Sequence, residues 1–233
     1  MRILVVHAWL KGNLGDVLQL SVLLAALRDL KPARLDLAGY PIPAGEGTEP
    51  LVAAVDRVIP DPFWWFWTFV PRPMASWLIE PQWRRARAAL FAGYDAVVCA
   101  PGPYLASYDP RAVAALADLR IAAAQQTPIV LASHSIGPLP AADIADLNLA
   151  TVRVAREAAT HRYLAEHGCS SVASADYAFL YPYADIPAAG PGDPYTLVFL
   201  RADNLAGGSL RRQGSRLFAA DRLLADGGGT RLV

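Results

Sequence analysis

Residues 1–30, MRILVVHAWLKGNLGDVLQLSVLLAALRDL, contain a strand, a glycine turn and a helix that together indicate an α/β protein. The run from Ile3 to Val6 is apolar, uninterrupted and rich in β-branched side chains, as in a strand buried on both faces of a parallel sheet. Apolar residues recur from Val17 onward in a pattern that suits a helix packed against that sheet, and Pro32 stops the helix. The sequence therefore predicts an opening β-turn-α unit.

The turn between this strand and this helix is the first candidate binding site. Gly12 and Gly15 permit tight backbone geometry, and Asp16 is placed to cap the helix. Such a turn presents backbone N–H groups at the carboxyl edge of the sheet, where open α/β sheets bind anions and other ligands. The G-x-G-x-x-G spacing is absent, so a dinucleotide fingerprint is not supported. Asp16 as a helix cap alone and Asp16 as a functional residue both stay open.

Composition narrows the class of protein. The chain has 233 residues, of which 54% are hydrophobic and 18% are charged, as expected of a globular protein. Lys and Arg number 21, as do Asp and Glu, so the overall charge does not argue for nucleic acid as a partner. Cys99 and Cys169 are too few for a disulfide framework and lack the spacing of a metal site. Together with an N-terminus that has no export-signal pattern, this favours the cytoplasm.

Two later strands end in turns like the first one. Strands predicted at 95–100 and 128–133 run into glycine-containing turns at 101–104 and 134–138. Because the carboxyl ends of parallel strands meet at one edge, we expect these turns and the turn at 12–16 to share a cleft. Each glycine also has a simpler interpretation, as a requirement of its turn.

Two segments between these strands have unusual compositions. Residues 63–79, FWWFWTFVPRPMASWLI, hold four of the six tryptophans but are too short and too interrupted to span a membrane. Three interpretations of this segment stay open. It forms an aromatic loop over the core, it contacts a lipid surface or a lipid-linked acceptor at the inner face of the membrane, or it forms an oligomer interface. Residues 82–91, QWRRARAALF, form a basic helix whose arginines are expected on a solvated face, or against anionic headgroups.

The chain is predicted to divide into two α/β domains. The first covers 1–182, and a linker rich in Pro, Gly and Ala covers 183–193. A second βαβ pattern occupies 194–233, where Arg201 follows the first strand. If these 233 residues are the whole chain, so short a second domain would expose strand edges and apolar surface, and the sequence then predicts self-association or poor solubility.

Five stretches, in chain order, resemble the motifs of the polysaccharide pyruvyl transferase family. They are NLGD at 13–16, YDAVVCAPG at 94–102, SHSIGP at 133–138, VAREAATHRYLAEHG at 154–168 and ADYAF at 175–179. Three positions depart from the family pattern: Pro101 replaces a glycine, His134 replaces a glutamine and Thr160 replaces a serine. The resemblance covers nearly all of the first domain.

The resemblance implies a Rossmann-like parallel sheet with helices on both faces, as in the N-terminal domain of GT-B glycosyltransferases. The implied reaction transfers a pyruvyl group from phosphoenolpyruvate, a co-substrate, to a cell-surface saccharide and forms a ketal; no further cofactor is expected. The candidate catalytic residues are Asp16, as the base for the saccharide hydroxyl or as the group that positions it, and His134, which stands at the cleft edge where the family has glutamine. The implied substrate-binding residues are Asn13, Gly15, Gly102, Ser135, Gly137, Arg156, Asp176 and Arg201.

Arg156 is the main candidate for binding the donor. Phosphoenolpyruvate carries a carboxylate and a phosphate, and arginine binds both in bidentate geometry. Arg201 is a second candidate. The alternative for Arg156 is a surface ion pair with Glu157 or Asp176.

The resemblance also implies that this sequence stops short of the family's catalytic histidine, which lies in the C-terminal domain. None of His7, His134, His161 and His167 matches that motif. We therefore expect a truncated pyruvyl transferase-like protein, active as a transferase only with a full second domain. The alternatives are a non-catalytic saccharide-binding homologue and a GT-B glycosyltransferase that uses a nucleotide sugar.

Overall fold

A computed structural model describes residues 1–9, 14–39, 49–61, 80–109 and 111–181. The tryptophan-rich segment 63–79, Asn13 and Arg201 lie outside these described residues, as do the predicted linker and second domain. The chain divides into two compact units, Met1–Pro182 and Tyr183–Val233, and only the first contains described residues.

The described elements alternate between strands and helices. In chain order they are β1 (Arg2–Ala8), α1 (Leu14–Asp29), β2 (Arg34–Gly39), α2 (Glu49–Ala53), β3 (Arg57–Pro60), α3 (Glu80–Phe91), β4 (Ala96–Cys99), β5 (Gly102–Leu105), α4 (Arg111–Ala124), β6 (Ile129–Ile136), α5 (Ala141–Leu147), β7 (Val152–Ala155), α6 (Ala158–Glu166), β8 (Val172–Ala173) and a 3₁₀ helix (Tyr177–Leu180). Within the described ranges, each helix is too short or too polar to cross a bilayer.

The strands form one sheet whose order reverses in the middle. The order is β3-β2-β1-β4-β6-β7-β8, and the strand pairs among the described residues are parallel. The chain therefore moves outward from β1 in one direction and from β4 in the other, which creates a ligand-binding crevice in doubly wound folds. The predicted Rossmann-like α/β fold is confirmed.

Strand β5 differs from the sequence prediction, which made 101–104 a turn. Strand β4 pairs only with the first half of β6, at Ile129–Leu131, whereas Gly102 and Leu105 of β5 pair with His134 and Ile136. Because β6 is longer than predicted, its second half requires another partner, and the chain after β4 supplies it.

Helices cover both faces of the sheet. On one face, Ile3 and Val5 pack with the leucines of α1, including Leu24. On the other face, Leu4 and Val6 pack with α3 and α4, where Trp83 and Phe91 are completely buried. This alternation along β1 is the pattern of a strand enclosed between two helical layers, and each enclosed leucine contributes about 1.5–3 kcal/mol of hydrophobic stabilisation.

The helical layer formed by α3 and α4 contains a buried cation. Arg87 on α3 donates two hydrogen bonds to Asp118 on α4, at 3.2 and 2.9 Å, and its Nη1 lies 3.0 Å from Asp61. His7 Nε2 lies 2.9 Å from the same Asp118 carboxylate. The arginine is 4% exposed, so the prediction of a solvated basic face is wrong at this position. Arg87 follows Trp83 and precedes Phe91 by four residues each, which places all three on one helical face.

Replacing Arg87 by Met is expected to destabilise the fold by about 3–5 kcal/mol, because two buried carboxylates would lose their cation. Chemical denaturation measures the change in the free energy of unfolding. Arg2→Met is the matched control: Arg2 pairs with Asp95 at 3.3 Å on the surface, with both side chains about half exposed, and its loss should cost less than about 1 kcal/mol. Equal losses for the two variants would contradict the assigned importance of the buried pair.

Candidate functional site

Two irregular positions shape the carboxyl edge of the sheet. His7 and Ser133 adopt positive φ angles of 61° and 31°, and the strand register shifts at both places. A non-glycine residue in this region costs of the order of 1–3 kcal/mol, so the surrounding packing must enforce it. Such bulges redirect the side chains near them. Here His7 and His134 come to lie on the same face of the sheet, against Tyr104.

The rings of His7, Tyr104 and His134 pack against one another beneath the carboxyl edge of the sheet. The Tyr104 ring lies 5.7 Å from the His7 ring and 4.8 Å from the His134 ring, which it meets edge to face. The Tyr104 hydroxyl donates to the Ala100 carbonyl at 2.8 Å. Burial raises the pKa of Tyr104 and lowers the pKa of His134 to about 3. Tyr104 and His134 are therefore uncharged packing groups, whereas His7 also contacts Asp118.

His134 is completely buried, and its ring nitrogens make no hydrogen bond of regular geometry, although the Ala132 backbone interacts with the ring. Burial of an imidazole with so little polar contact disfavours its charged form. The side chain thus lies below the surface that a ligand would touch, and its predicted catalytic role stays a prediction.

A second group of polar residues lies at the exposed side of the same edge, at the ends of β6, β7 and β8. We call Ser135, Arg156, Glu157, Thr160 and Asp176 the edge cluster. The Ser135 hydroxyl donates to Glu157 at 2.8 Å, and the Thr160 hydroxyl donates to the other oxygen of that carboxylate. Arg156 lies 3.4 Å from Glu157 through Nε and 3.4 Å from Asp176 through Nη1.

Local backbone bonds bring these residues together. The Arg156 N–H donates to the His134 carbonyl at 3.0 Å, which extends the pairing of β7 with β6. Asp176 caps the 3₁₀ helix by accepting from the Ala178 N–H at 2.9 Å. The Ser133 hydroxyl donates to the Ala175 carbonyl at 3.1 Å. Residues from three separate motifs thus converge within hydrogen-bond or ion-pair distance.

The edge cluster carries one positive and two negative side chains. Arg156 is flanked by Glu157 and Asp176, so both partners named as alternatives in the sequence are present. The side chains of these three residues are 21%, 40% and 25% exposed. Because two carboxylates pair with its single cation, the edge cluster presents mainly carboxylate and hydroxyl oxygens. These oxygens accept hydrogen bonds from hydroxyl groups and do not favour anions.

Gly15 and Asp16 lie in the first turn of α1 and are half-buried. Since α1 begins at Leu14, Asp16 lies inside the helix and does not precede it as a cap. A carboxylate in the first turn still interacts favourably with the positive end of the helix. The 3₁₀ helix that Asp176 caps packs against α1.

Gly102 and Gly137 have a packing explanation. A Cβ at Gly102 would lie 2.9 Å from the Tyr104 ring, and a Cβ at Gly137 would lie 3.1 Å from the Ala106 methyl group. Both glycines therefore permit close approach along β5 and β6. Their predicted role in substrate binding stays a prediction.

The sequence prediction missed Arg111, Asp109 and Trp9. Arg111 Nε donates to both oxygens of Asp109 at 2.8 Å. Its guanidinium lies 5.9 Å from the Trp9 ring and 5.7 Å from the Tyr104 ring, at cation–π distance. These residues were missed because β5 was not predicted, and a strand at this position places the residues that follow it at the same edge of the sheet. No group of metal-ligating side chains occurs among the described residues.

The sequence was compared with models of known protein families, and none matches it. A search of curated proteins likewise finds no match.

Removing His134 should change how stability depends on pH. The pKa of His134 is about 3 in the folded protein and ordinarily 6.5, so between these values the unfolded chain binds the proton and the folded chain does not. Stability should therefore fall as the pH drops from about 6.5, by up to about 1.4 kcal/mol per pH unit.

The variant His134→Gln should lose this part of the slope, as measured by denaturation at a series of pH values. His167→Gln, at an exposed position, controls for the loss of one histidine. Parallel pH curves for the parent and His134→Gln would contradict the assigned shift.

Proposed function

We propose that the protein is related to polysaccharide pyruvyl transferases and acts on a saccharide with phosphoenolpyruvate as donor. The observation that carries the proposal is the convergence of Ser135, Arg156 and Asp176 in the edge cluster. These residues come from three of the five stretches that resemble the family. The topology of a parallel sheet already brings strand ends to one edge, so the proposal is carried by the direct hydrogen bonds and ion pairs among these side chains.

The proposed reaction makes definite chemical demands. Two saccharide hydroxyl oxygens bond to C2 of phosphoenolpyruvate, the bond from C2 to the phosphate oxygen breaks, and phosphate leaves. The hydroxyls lose two protons: the methylene carbon takes up one and becomes a methyl group, and the other leaves with the phosphate. A base near the hydroxyls and an acid near the methylene are therefore required.

Glu157 is the strongest candidate for the base among the described residues. Its carboxylate is 40% exposed and already accepts hydroxyl hydrogen bonds from Ser135 and Thr160. Asp16 remains the candidate that the sequence suggested. Arg156, balanced by two carboxylates, is better suited to orient Glu157 than to bind a multiply charged donor alone. Further cations for the donor would come from outside the cluster, and Arg201 stays a candidate.

A saccharide-binding protein without transfer activity is the second candidate function. The observation that favours it is the excess of negative charge in the edge cluster, which suits a neutral polyol and opposes an anionic donor. Under either function, we propose a cytoplasmic protein. A peripheral contact with the inner face of the membrane, through residues 63–79 and a lipid-linked acceptor, belongs to the same proposal.

The test incubates the protein with phosphoenolpyruvate and a panel of cell-surface oligosaccharides. Phosphate release and the mass gain of one ketal-linked pyruvyl group are measured together. Arg156→Ala and Glu157→Gln should each lower the rate at least about tenfold, as expected for charged groups that contact or orient the reactants. Arg162→Ala, an exposed arginine on α6, should leave the rate unchanged.

Saccharide binding without phosphate release would reject transfer and favour the binding function. Phosphate release that is insensitive to Arg156→Ala and Glu157→Gln would reject the edge cluster as the site.

A further inference from the structure

A small cavity lies between the loop that joins β5 to α4 and the start of α5. Its volume is about 140 Å³. It is lined by Ala106, Ser107, Asp109, Leu139, Asp143 and Arg120, with further apolar side chains of α4. A dry apolar cavity of about 150 Å³ accommodates benzene. A pyranose ring with its hydroxyls is larger than benzene, so this cavity admits one side of a sugar ring, with apolar walls and polar groups at its rim.

An exposed aromatic residue adjoins this cavity. Tyr108 is 78% exposed, and its neighbours in the chain, Ser107 and Asp109, both line the cavity. Its ring comes within 3.9 Å of the Cβ position at Gly137, beside Ala106. A tyrosine in this position offers water a flat apolar face and a polar tip, which together match a ring with one apolar face and several hydroxyls.

The charges around the cavity are nearly all paired. Asp109 accepts from Arg111, and Arg120 pairs with Asp146. Asp143 lies 3.9 Å from Arg120, too far for a hydrogen bond, so its oxygens retain capacity to accept. The rim therefore presents a carboxylate and the Ser107 hydroxyl, without an unpaired cation that would attract an anion.

We propose that this cavity and Tyr108 bind one neutral pyranose ring of a saccharide, with Asp143 accepting from its hydroxyls. The identification of that ring as part of the acceptor rests on the proposed function. The exposed aromatic face and a rim that presents a carboxylate but no unpaired cation favour a neutral sugar over an anionic one. The cavity and the edge cluster are joined by the chain that runs from Ser135, near the end of β6, through Gly137 to Leu139.

The experiment measures binding without any donor, by ligand-observed NMR titration of the full chain. The probes are the methyl glycosides of glucose, galactose and mannose. Cyclohexanol, a ring of the same size with one hydroxyl, tests for a merely apolar cavity. At least one glycoside should bind, and cyclohexanol should bind at least about tenfold more weakly, because it lacks the hydrogen bonds.

Two variants test the assigned contacts. Tyr108→Ala should weaken glycoside binding about threefold to tenfold through loss of the aromatic face. Asp143→Asn should weaken it about threefold or more, because it replaces a charged acceptor with a neutral amide. The matched control is Phe179→Ala, which removes an aromatic ring with the same 78% exposure from the 3₁₀ helix and should have no effect.

Equal binding of cyclohexanol, no binding of the three glycosides, or binding unchanged in Tyr108→Ala and Asp143→Asn would each overturn the proposal. Its failure is distinguishable from failure of the proposed function. Glycoside binding that depends on Tyr108, without phosphate release from phosphoenolpyruvate, keeps the sugar site and rejects transfer. Pyruvyl transfer at full efficiency in Tyr108→Ala and Asp143→Asn rejects the sugar site and keeps transfer.

Discussion

The contact between Arg87 and Asp118 links more of this fold than any other polar interaction described. It joins α3 to α4 across the covered face of the sheet, at 2.9 and 3.2 Å. Asp61 adds the end of β3, and His7 adds the end of β1. A charge in an apolar layer is tolerated only with such complete pairing, since a buried ion without partners costs several kcal/mol. The ends of β1 and β3 are therefore positioned by electrostatics as well as by hydrophobic packing.

Because the ends of β1 and β3 are held in this way, the carboxyl edge of the sheet has a buried layer of side chains beneath an exposed one. His7 takes up a positive φ and points toward Asp118, and the register shift at Ser133 brings His134 to the same face. Tyr104 fills the space between the two imidazoles. The resulting buried layer supports the edge cluster and the cavity without itself being exposed to ligand. His134 and Ser135 are neighbours in one sequence motif, yet His134 belongs to the buried layer and Ser135 to the exposed edge cluster.

The sequence was sufficient for the fold class because its signals are local. The apolar run at 3–6, the helix after it and the breaks at Pro32 and the glycines specify a β-turn-α unit without reference to the rest of the chain. Strand β5 was missed because its four residues, GPYL, have turn composition and become a strand only by pairing with the second half of β6. Arg87 was misjudged for a similar reason, because its partners Asp61 and Asp118 are 26 and 31 residues away in the chain.

For the candidate site as well, the sequence predicts features that depend on local pattern and misses those that depend on residues distant in the chain. Ser135, Arg156 and Asp176 follow strand ends and were predictable from topology, whereas their charge balance depends on which side chains meet. Two hydrogen bonds from α6 fix the run that joins the cluster to the cavity: Ile136 N–H donates to Thr160 at 3.0 Å, and Leu139 N–H donates to the Tyr163 hydroxyl at 2.9 Å. Thr160 also donates to Glu157. Helix α6 therefore contacts both the Glu157 carboxylate of the edge cluster and Leu139 in the wall of the cavity, so its packing affects the geometry of both.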